Sequence, residues 1–296
     1  MVKKVLKRIA FILVFPALIT LQGCLHGQNE KSGIAVSIEP LRYFADRLTS
    51  GQVDVTVMVP MGASPATYSP TTQQLMKLSD SKLYISIGYL GFEQSWMPRI
   101  KDINNDLKIL TLSEGIELIR AKDEVHGDHV HKGGTDPHIW MSPKMVKAFL
   151  PELKAGLIKA FPEHKEIIEK NYSEFYNEVT QLHNEFTDLA QTLSQKKFMI
   201  FHPALSYLAR DYGLEQISIE HEGKEPSPRQ LKDLIDLANR ENIRLIFIQA
   251  EFDQRNAQMV KDATGAELVV INPLAYDWAK NLYGIKQLLE KHLAQP

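Results

Sequence analysis

From residue 34 onward, short apolar runs rich in β-branched residues alternate with amphipathic segments. The apolar runs predict eight strands, at residues 34–38, 53–59, 82–88, 107–110, 197–201, 214–219, 243–249 and 267–271. Apolar residues spaced three or four positions apart predict helices between most of these strands, as at residues 41–48, 71–78, 229–240 and 253–265. Because alternating strands and helices usually form parallel sheets covered by helices, the pattern predicts an α/β fold.

No strand pattern occurs between about residues 111 and 196, and this gap divides the strands into two groups of four. The gap has a helical pattern over residues 143–161 and a second one over residues 163–196, which contain no Gly or Pro. The second pattern predicts one helix about 50 Å long at 1.5 Å per residue, although a break near Asn184 is an alternative. We therefore predict two lobes, residues 34–162 and 197–296, joined by a long helix.

The first thirty residues differ from the rest of the chain. Four basic residues within the first eight precede an apolar segment, residues 9–20, that is too short to span a membrane. The sequence LQGC that follows resembles the bacterial lipobox, in which cleavage leaves the cysteine as a lipid-bearing N-terminus. We expect residues 1–24 to be a lipoprotein signal peptide, Cys24 to carry the lipid and residues 25–33 to form a polar tether. An uncleaved anchor and an ordinary signal peptide are the alternatives.

Composition narrows the classes of function. The 296 residues carry a formal net charge of only -2, so the chain offers no basic surface for nucleic acid, which we exclude as a partner. Cys24 is the only cysteine, so the mature chain is expected to have no disulfide and no thiolate metal ligand. The sequence contains no Gly-rich phosphate loop, no nucleophile elbow and no cysteine nucleophile. These features favour a binding protein over an enzyme.

Polar residues follow several of the predicted strands, where open parallel sheets bind their ligands. His202, Glu251 and Asn272 come after three strands of the second group, and His138 precedes a helix that Pro143 can open. Neutral imidazole and carboxylate groups are common metal ligands. The sequence therefore predicts a metal site in the cleft between the lobes.

Two of these assignments have alternatives. His202 follows an apolar run and could instead be a core histidine whose ring nitrogens are satisfied locally. Asp136 could orient the ring of His138 by accepting a hydrogen bond, or it could cap the turn before Pro137. The glutamates of residues 218–231 are weaker candidate ligands, in a segment whose prolines predict a loop rather than a metal-binding helix.

Three further histidines lie close together in a glycine-rich segment. His126, His129 and His131 occupy residues 124–133, where no periodic pattern occurs. We expect a mobile loop that binds a transition metal weakly and passes it on, because closing such a loop on one site costs conformational entropy. A solvated polar loop without metal is the alternative.

A family resemblance adds to this interpretation. In order along the chain, the motifs that carry it are VSIEPLRYFADRL, VPMGASPATYSPT, DPHIWMSP, FHPALSYLARDYGL, EGKEPSPRQL and INPLAYDW. Together they resemble the TroA-like zinc and manganese substrate-binding lipoproteins of bacterial ABC importers. The resemblance implies a metal between two α/β lobes, with the family's second and third ligands at His138 and His202.

The sequence departs from the family at its other two ligand positions. Ala66 stands where the family has its first histidine, and Asn272 stands where it usually has an aspartate. We rank Glu251 first as a replacement, because it would restore one negative charge. The remaining candidates are Tyr68, His221, a histidine of the 124–133 segment, and water.

The resemblance implies a monomeric, lipid-anchored protein in the periplasm or on the cell surface. It would capture zinc, with manganese as the alternative metal, and deliver it to an ABC permease without making or breaking a covalent bond. Other functions are open: binding of another metal or of a metal chelate, a surface adhesin or structural lipoprotein on the same scaffold, and a metallohydrolase with Glu251 as its base.

Overall fold

The computed structural model describes residues 31–120, 124–126, 129–131, 134–220 and 224–294. The predicted signal peptide, Cys24, most of the tether and His221 lie outside the described residues. Of residues 124–126 and 129–131, only the backbone is described.

Two four-stranded parallel sheets form the framework of the described chain. The first sheet has the strand order β2-β1-β3-β4 and the second has the order β10-β9-β7-β8. The strands are β1 (Gly33–Ile38), β2 (Val55–Val59), β3 (Ser81–Ser86), β4 (Lys108–Thr111), β7 (Lys197–Ile200), β8 (Glu215–Ser218), β9 (Leu245–Gln249) and β10 (Glu267–Ile271). All eight predicted strands are present, with ends that shift by one or two residues. The predicted α/β fold with two lobes is confirmed.

Helices connect and cover these strands. They are α1 (Glu39–Thr49), α2 (Thr72–Ser79), α3 (Gly91–Ile103), α4 (Pro143–Ala160), α5 (Lys165–Thr192), α6 (Ser206–Asp211), α7 (Pro228–Arg240), α8 (Arg255–Thr264) and α9 (Trp278–Leu293). Capping boxes begin α2 and α7, where Thr71 and Ser227 accept from the backbone N–H of Gln74 and Gln230. Among the described residues, none of the helices combines the length and the apolar composition that a membrane span requires.

Helix α5 is the long connection between the lobes. It has 28 residues, which corresponds to about 42 Å, and is shorter at both ends than the predicted 163–196. The helix is continuous through Asn184, so the alternative of two helices is wrong. Its buried residues recur at helical spacing and are Ile168, Phe175, Val179, Leu182, Phe186 and Leu189. This face packs against α1, α4 and α9.

The prediction that no strand lies between residues 111 and 196 is wrong. Strands β5 (Glu124–His126) and β6 (His129–His131) form an antiparallel hairpin in the histidine-rich segment. The register pairs Glu124 with His131 and His126 with His129. Strands of three residues are too short to show a period in the sequence, so the segment was expected to lack regular structure.

The two lobes share one apolar core along α5. Phe44 of α1 packs against Phe149 of α4, Phe175 of α5 and Trp278 of α9, with ring centroids 5.3 to 6.0 Å apart. The N-terminal end of α9 therefore lies against the first lobe, although most of α9 belongs to the second. This packing fixes the framework on which the cleft residues are placed.

Candidate metal centre

A cavity of about 380 Å³ lies between the lobes. Its lining follows the carboxyl ends of β2, β3, β7, β8, β9 and β10, as open parallel sheets predict. The residues are Ser64, Pro65, Ala66, Thr67, Leu90, Gly91, Pro137, His138, Trp140, His202, Ala204, Glu220, Gln249, Glu251, Phe252, Pro273 and Leu274. Both histidines that we predicted as ligands line this cavity. A larger cavity of about 770 Å³ beside α3 contains neither of them.

His138 is held by Asp136, two positions earlier in the chain. One carboxylate oxygen, Asp136 Oδ1, lies 2.9 Å from both the backbone N and the ring Nδ1 of His138. Both predicted roles of Asp136 are thus present, since one oxygen caps the turn and orients the ring. Burial opposes ionisation of Asp136, but the hydrogen bonds from His138 outweigh burial and lower the pKa of the carboxyl.

His202 has a matching arrangement on the second lobe. Its Nδ1 lies 2.8 Å from Oε1 of Glu220, whose side chain is 6% exposed. The buried amide of Gln249 donates to the His202 carbonyl at 2.9 Å and accepts from its backbone N–H at 3.4 Å. The His202 ring also stacks on Phe252, with centroids 5.3 Å apart. With a side chain that is 33% exposed and lines the cavity, His202 is not a core histidine.

The two imidazole rings have a separation that suits a shared ion. Their centroids are 5.2 Å apart and their planes are inclined by 72°. A zinc–nitrogen bond of about 2.0–2.1 Å puts each ring centre about 3.2 Å from the ion, so a tetrahedral angle of about 109° separates the centres by about 5.2 Å. Since both Nδ1 atoms face carboxylates, each ring can hold its proton there and present unprotonated Nε2 as the ligand atom.

The other predicted ligands are placed less favourably. Glu251 lines the cavity but is exposed. Asn272 Oδ1 accepts from the backbone N–H of Leu274 at 3.0 Å, which engages one of its two lone pairs. Tyr68 donates its hydroxyl to Gln74 at 2.9 Å. Neither Asn272 nor Tyr68 lines the cavity. Within the described residues, no group of three His, Cys, Asp or Glu side chains could hold an ion.

Sequence reasoning missed part of the site. It gave Glu220 only as a weak candidate ligand, and it did not identify Gln249, Trp140 or Phe252. Glu220 lies two residues after β8 and 18 positions after His202, and the pairing of β7 with β8 brings the two together. The one feature of the sequence that could have identified Glu220 and Gln249 is their position at the ends of predicted strands.

Hydrogen bonds cross between the lobes beside His138. The Trp140 indole donates to the carbonyl of Pro273 at 2.8 Å, and the Trp278 indole donates to the carbonyl of Trp140 at 2.6 Å. The Tyr207 hydroxyl donates to the carbonyl of Asp136 at 2.8 Å and accepts from the backbone N–H of Ile119 at 3.0 Å. These hydrogen bonds therefore join the two lobes at the base of the cleft.

The fold and the paired histidines define a class of protein, and comparison with known proteins identifies the same class. Residues 34–284 match the family model described as zinc-uptake complex component A, periplasmic, and the chain belongs to this family. The family consists of substrate-binding proteins of ABC transporters, which work with a permease and an ATPase. The predictions of an extracytoplasmic protein and of a binding protein rather than an enzyme are confirmed.

Individual relatives agree with this assignment. The high-affinity zinc uptake system protein ZnuA of Bacillus subtilis is 25% identical over 86% of the chain and 82% of its own length. The zinc-binding lipoprotein AdcA of Streptococcus pneumoniae is 24% identical over 91% of the chain, which spans only 56% of AdcA. A crystal structure of a ZnuA deletion mutant with zinc bound is 36% identical, with a TM-score of 0.81 over 90% of this chain and 99% of that one.

Proposed function

We propose that this protein captures zinc between its lobes and delivers it to an ABC importer, with His138 and His202 as ligands. The observation that carries the proposal is the pair of rings at 5.2 Å, each with Nδ1 against a carboxylate. The two carboxylates, Asp136 and Glu220, also place two negative charges behind the ligands of a divalent cation. The zinc named in the descriptions of ZnuA and AdcA supports the choice of metal.

Glu251 and Asn272 remain proposed ligands of lower rank. Glu251 is on the cavity wall and would add a charge, whereas the oxygen of Asn272 already accepts one hydrogen bond. His126, His129, His131, Tyr68 and His221 are accessory candidates at most. Manganese prefers oxygen ligands, so a site built on two imidazoles favours zinc.

We also propose that Cys24 carries a lipid that holds the protein at a membrane surface. The basic, apolar and LQGC segments support this anchor. The lobes and connecting helix would then extend from a short tether, and the protein would act as a monomer that docks on its permease.

Metal capture is tested with protein purified from residue 27 onward. The protein is incubated in growth medium supplemented with zinc or with manganese, separated by size exclusion and analysed for bound metal. We expect one zinc per molecule, and loss of that zinc in His138→Ala and in His202→Ala. His164→Ala, outside the cleft, is the matched control and should retain the metal. Absence of zinc from the unaltered protein would contradict the proposal.

A further inference from the structure

The cavity is larger, and poorer in ligands, than a bare ion needs. We propose that it binds the metal as a complex with a small organic chelator, whose donor atoms complete the coordination that His138 and His202 begin. This inference rests on the proposed function, because it needs both histidines to bind a metal.

The cavity offers fewer protein ligands than a closed zinc site needs. A closed tetrahedral zinc site has four ligands, and the paired histidines supply two nitrogens. Ala66 lines the cavity but has no donor atom in its side chain. No third His, Cys, Asp or Glu among the described residues completes a metal-binding group. Glu251, a proposed ligand of lower rank on the cavity wall, is exposed, and the inference takes the remaining donors from the chelator.

The cavity is also larger than an ion with its water ligands. The cavity measures about 380 Å³. A water molecule occupies about 30 Å³, so an ion with two waters would fill only a small part of this space and solvent would occupy the rest. Pockets for small organic molecules measure roughly 300–1,000 Å³, and the cavity falls within that range.

The walls of the cavity are mainly apolar. Apolar side chains from both lobes form most of the surface: Pro65, Ala66, Leu90, Pro137, Trp140, Phe252, Pro273 and Leu274. Such walls do not stabilise a hydrated ion, whereas they do stabilise the carbon skeleton of an organic molecule. Gly91 lies close against Ala66, since an added Cβ at Gly91 would lie 3.1 Å from the Ala66 Cα.

Charge selects the kind of chelator. Among the described residues, Glu220 and Glu251 are the only Asp, Glu, Lys or Arg residues that line the cavity, so this described lining carries negative charge and no Lys or Arg to offset it. A polycarboxylate complex with net negative charge would be repelled. A complex of zinc with one amino acid that has nitrogen donors carries about one positive charge and is favoured. Free histidine is a suitable probe, because its imidazole and amino nitrogens can take the two open positions.

The test compares three titrations of the purified protein: zinc alone, zinc with equimolar histidine, and zinc with equimolar citrate. Isothermal titration calorimetry gives the affinity, and native mass spectrometry gives the composition of the complex. We expect histidine to raise the apparent affinity for zinc about tenfold or more, with protein, zinc and histidine present as one to one to one. Citrate should only compete for the ion. His202→Ala should lose the ternary complex, and His164→Ala should keep it.

The Ala66→His variant tests the inference by adding a protein ligand where we propose that the chelator supplies one. A third protein imidazole should tighten the binding of zinc alone and remove the enhancement by histidine. The ternary complex of the unaltered protein provides a readout that does not depend on the folding of this variant.

Two results overturn the inference, and they are distinguishable. If the unaltered protein binds zinc alone with sub-micromolar affinity and histidine only weakens binding, then the cargo is the free ion and the proposed function stands. If neither zinc nor either complex binds, both the inference and the proposed function fail.

Discussion

At the scale of residues, the cleft is organised by two histidine–carboxylate pairs. His138 is paired with Asp136 from its own turn, and His202 is paired with Glu220 from the neighbouring strand end. Each carboxylate fixes the ring orientation and the tautomer, and it makes Nε2 a stronger ligand. If His138 and His202 are the ligands that we propose, both nitrogens are oriented before the metal binds, which lowers the loss of conformational entropy on binding.

Removing the charge of Glu220 should weaken metal binding while His202 is retained. Glu220→Gln keeps the size of the side chain but can no longer favour the proton on Nδ1, so we expect a loss of about 10–100-fold in metal affinity. Competition with a fluorescent zinc chelator measures the effect. Glu215→Gln, at the exposed start of β8, is the control and should bind like the unaltered protein. Equal affinities of the two variants would mean that Glu220 does not act on the site.

The place of the two histidines in the cleft could be predicted from the sequence. Of their two carboxylate partners, only one could be. The place of His202 in the cleft follows from its strand-end position and that of His138 from the helix start at Pro143, in both cases together with the family motifs. Asp136 is close enough to His138 in the chain to be recognised. Glu220 could not be assigned to His202, because their contact depends on the register between β7 and β8. The departure from the family motif at Ala66 was visible in the sequence, while the cavity that Ala66 lines depends on packing between the lobes.

At the scale of elements, α5 joins the lobes by packing as well as by chain connection. Phe175 is fully buried, lies 5.9 to 6.2 Å from the rings of Tyr43, Phe44 and Trp278, and contacts the guanidinium of Arg47 at 4.5 Å. One residue of the connecting helix therefore touches α1 of the first lobe and α9 of the second. The helix could be predicted because six buried positions repeat at helical spacing.

Truncating Phe175 should destabilise the whole protein. Phe175→Ala removes a buried ring from the junction of three helices, and we expect a loss of about 3–5 kcal/mol in the free energy of unfolding. Urea denaturation followed by circular dichroism measures this loss. Asp188→Ala, on an exposed position of the same helix, should change the free energy of unfolding by less than about 0.5 kcal/mol.

Other elements could not be predicted for identifiable reasons. Helix α6 has only six residues, and α3 contains Pro98, which removes a backbone donor from the helix interior. The hairpin of β5 and β6 has three residues in each strand, too few to show alternation. For α3 and α6, tertiary packing rather than the local pattern specifies the element.

Deleting the hairpin tests its role in metal binding. A variant without residues 124–133 should retain the metal held by His138 and His202 and lose only weaker, additional zinc. Elemental analysis at increasing zinc concentrations separates the two kinds of binding. If the deletion abolished binding in the cleft, a histidine of the hairpin would have to be one of the missing ligands.

At the scale of the whole molecule, the lobes are joined by the packing of one helix and by hydrogen bonds beside the cleft. Helix α5 packs along both lobes, the indoles of Trp140 and Trp278 bond across the cleft floor, and Tyr207 bridges Asp136 and Ile119. Burial raises the pKa of Tyr207 to about 12, so its hydroxyl keeps its proton at physiological pH. Wide opening would break several of these contacts at once, and we expect the lobes to move by a modest tilt.

Removing the Tyr207 hydroxyl should loosen this junction. Tyr207→Phe keeps the ring but leaves the carbonyl of Asp136 and the N–H of Ile119 without this partner, at a cost of about 1–3 kcal/mol in the free energy of unfolding. Hydrogen exchange measured by mass spectrometry should rise in peptides that contain residues 119 and 136. Tyr283→Phe, a half-buried tyrosine on α9, is the control. Unchanged exchange at both peptides would contradict the bridging role.

The placement of one histidine on each lobe has a further consequence for the lifetime of the protein. His138 and His202 are 64 positions apart in the sequence, so a bound metal joins distant parts of the chain as a reversible cross-link. The loaded receptor should resist proteases longer than the empty one, because digestion proceeds through opened states that the cross-link disfavours. A shortage of metal would then shorten the lifetime of the empty protein, and the supply of metal would itself adjust the number of protein molecules.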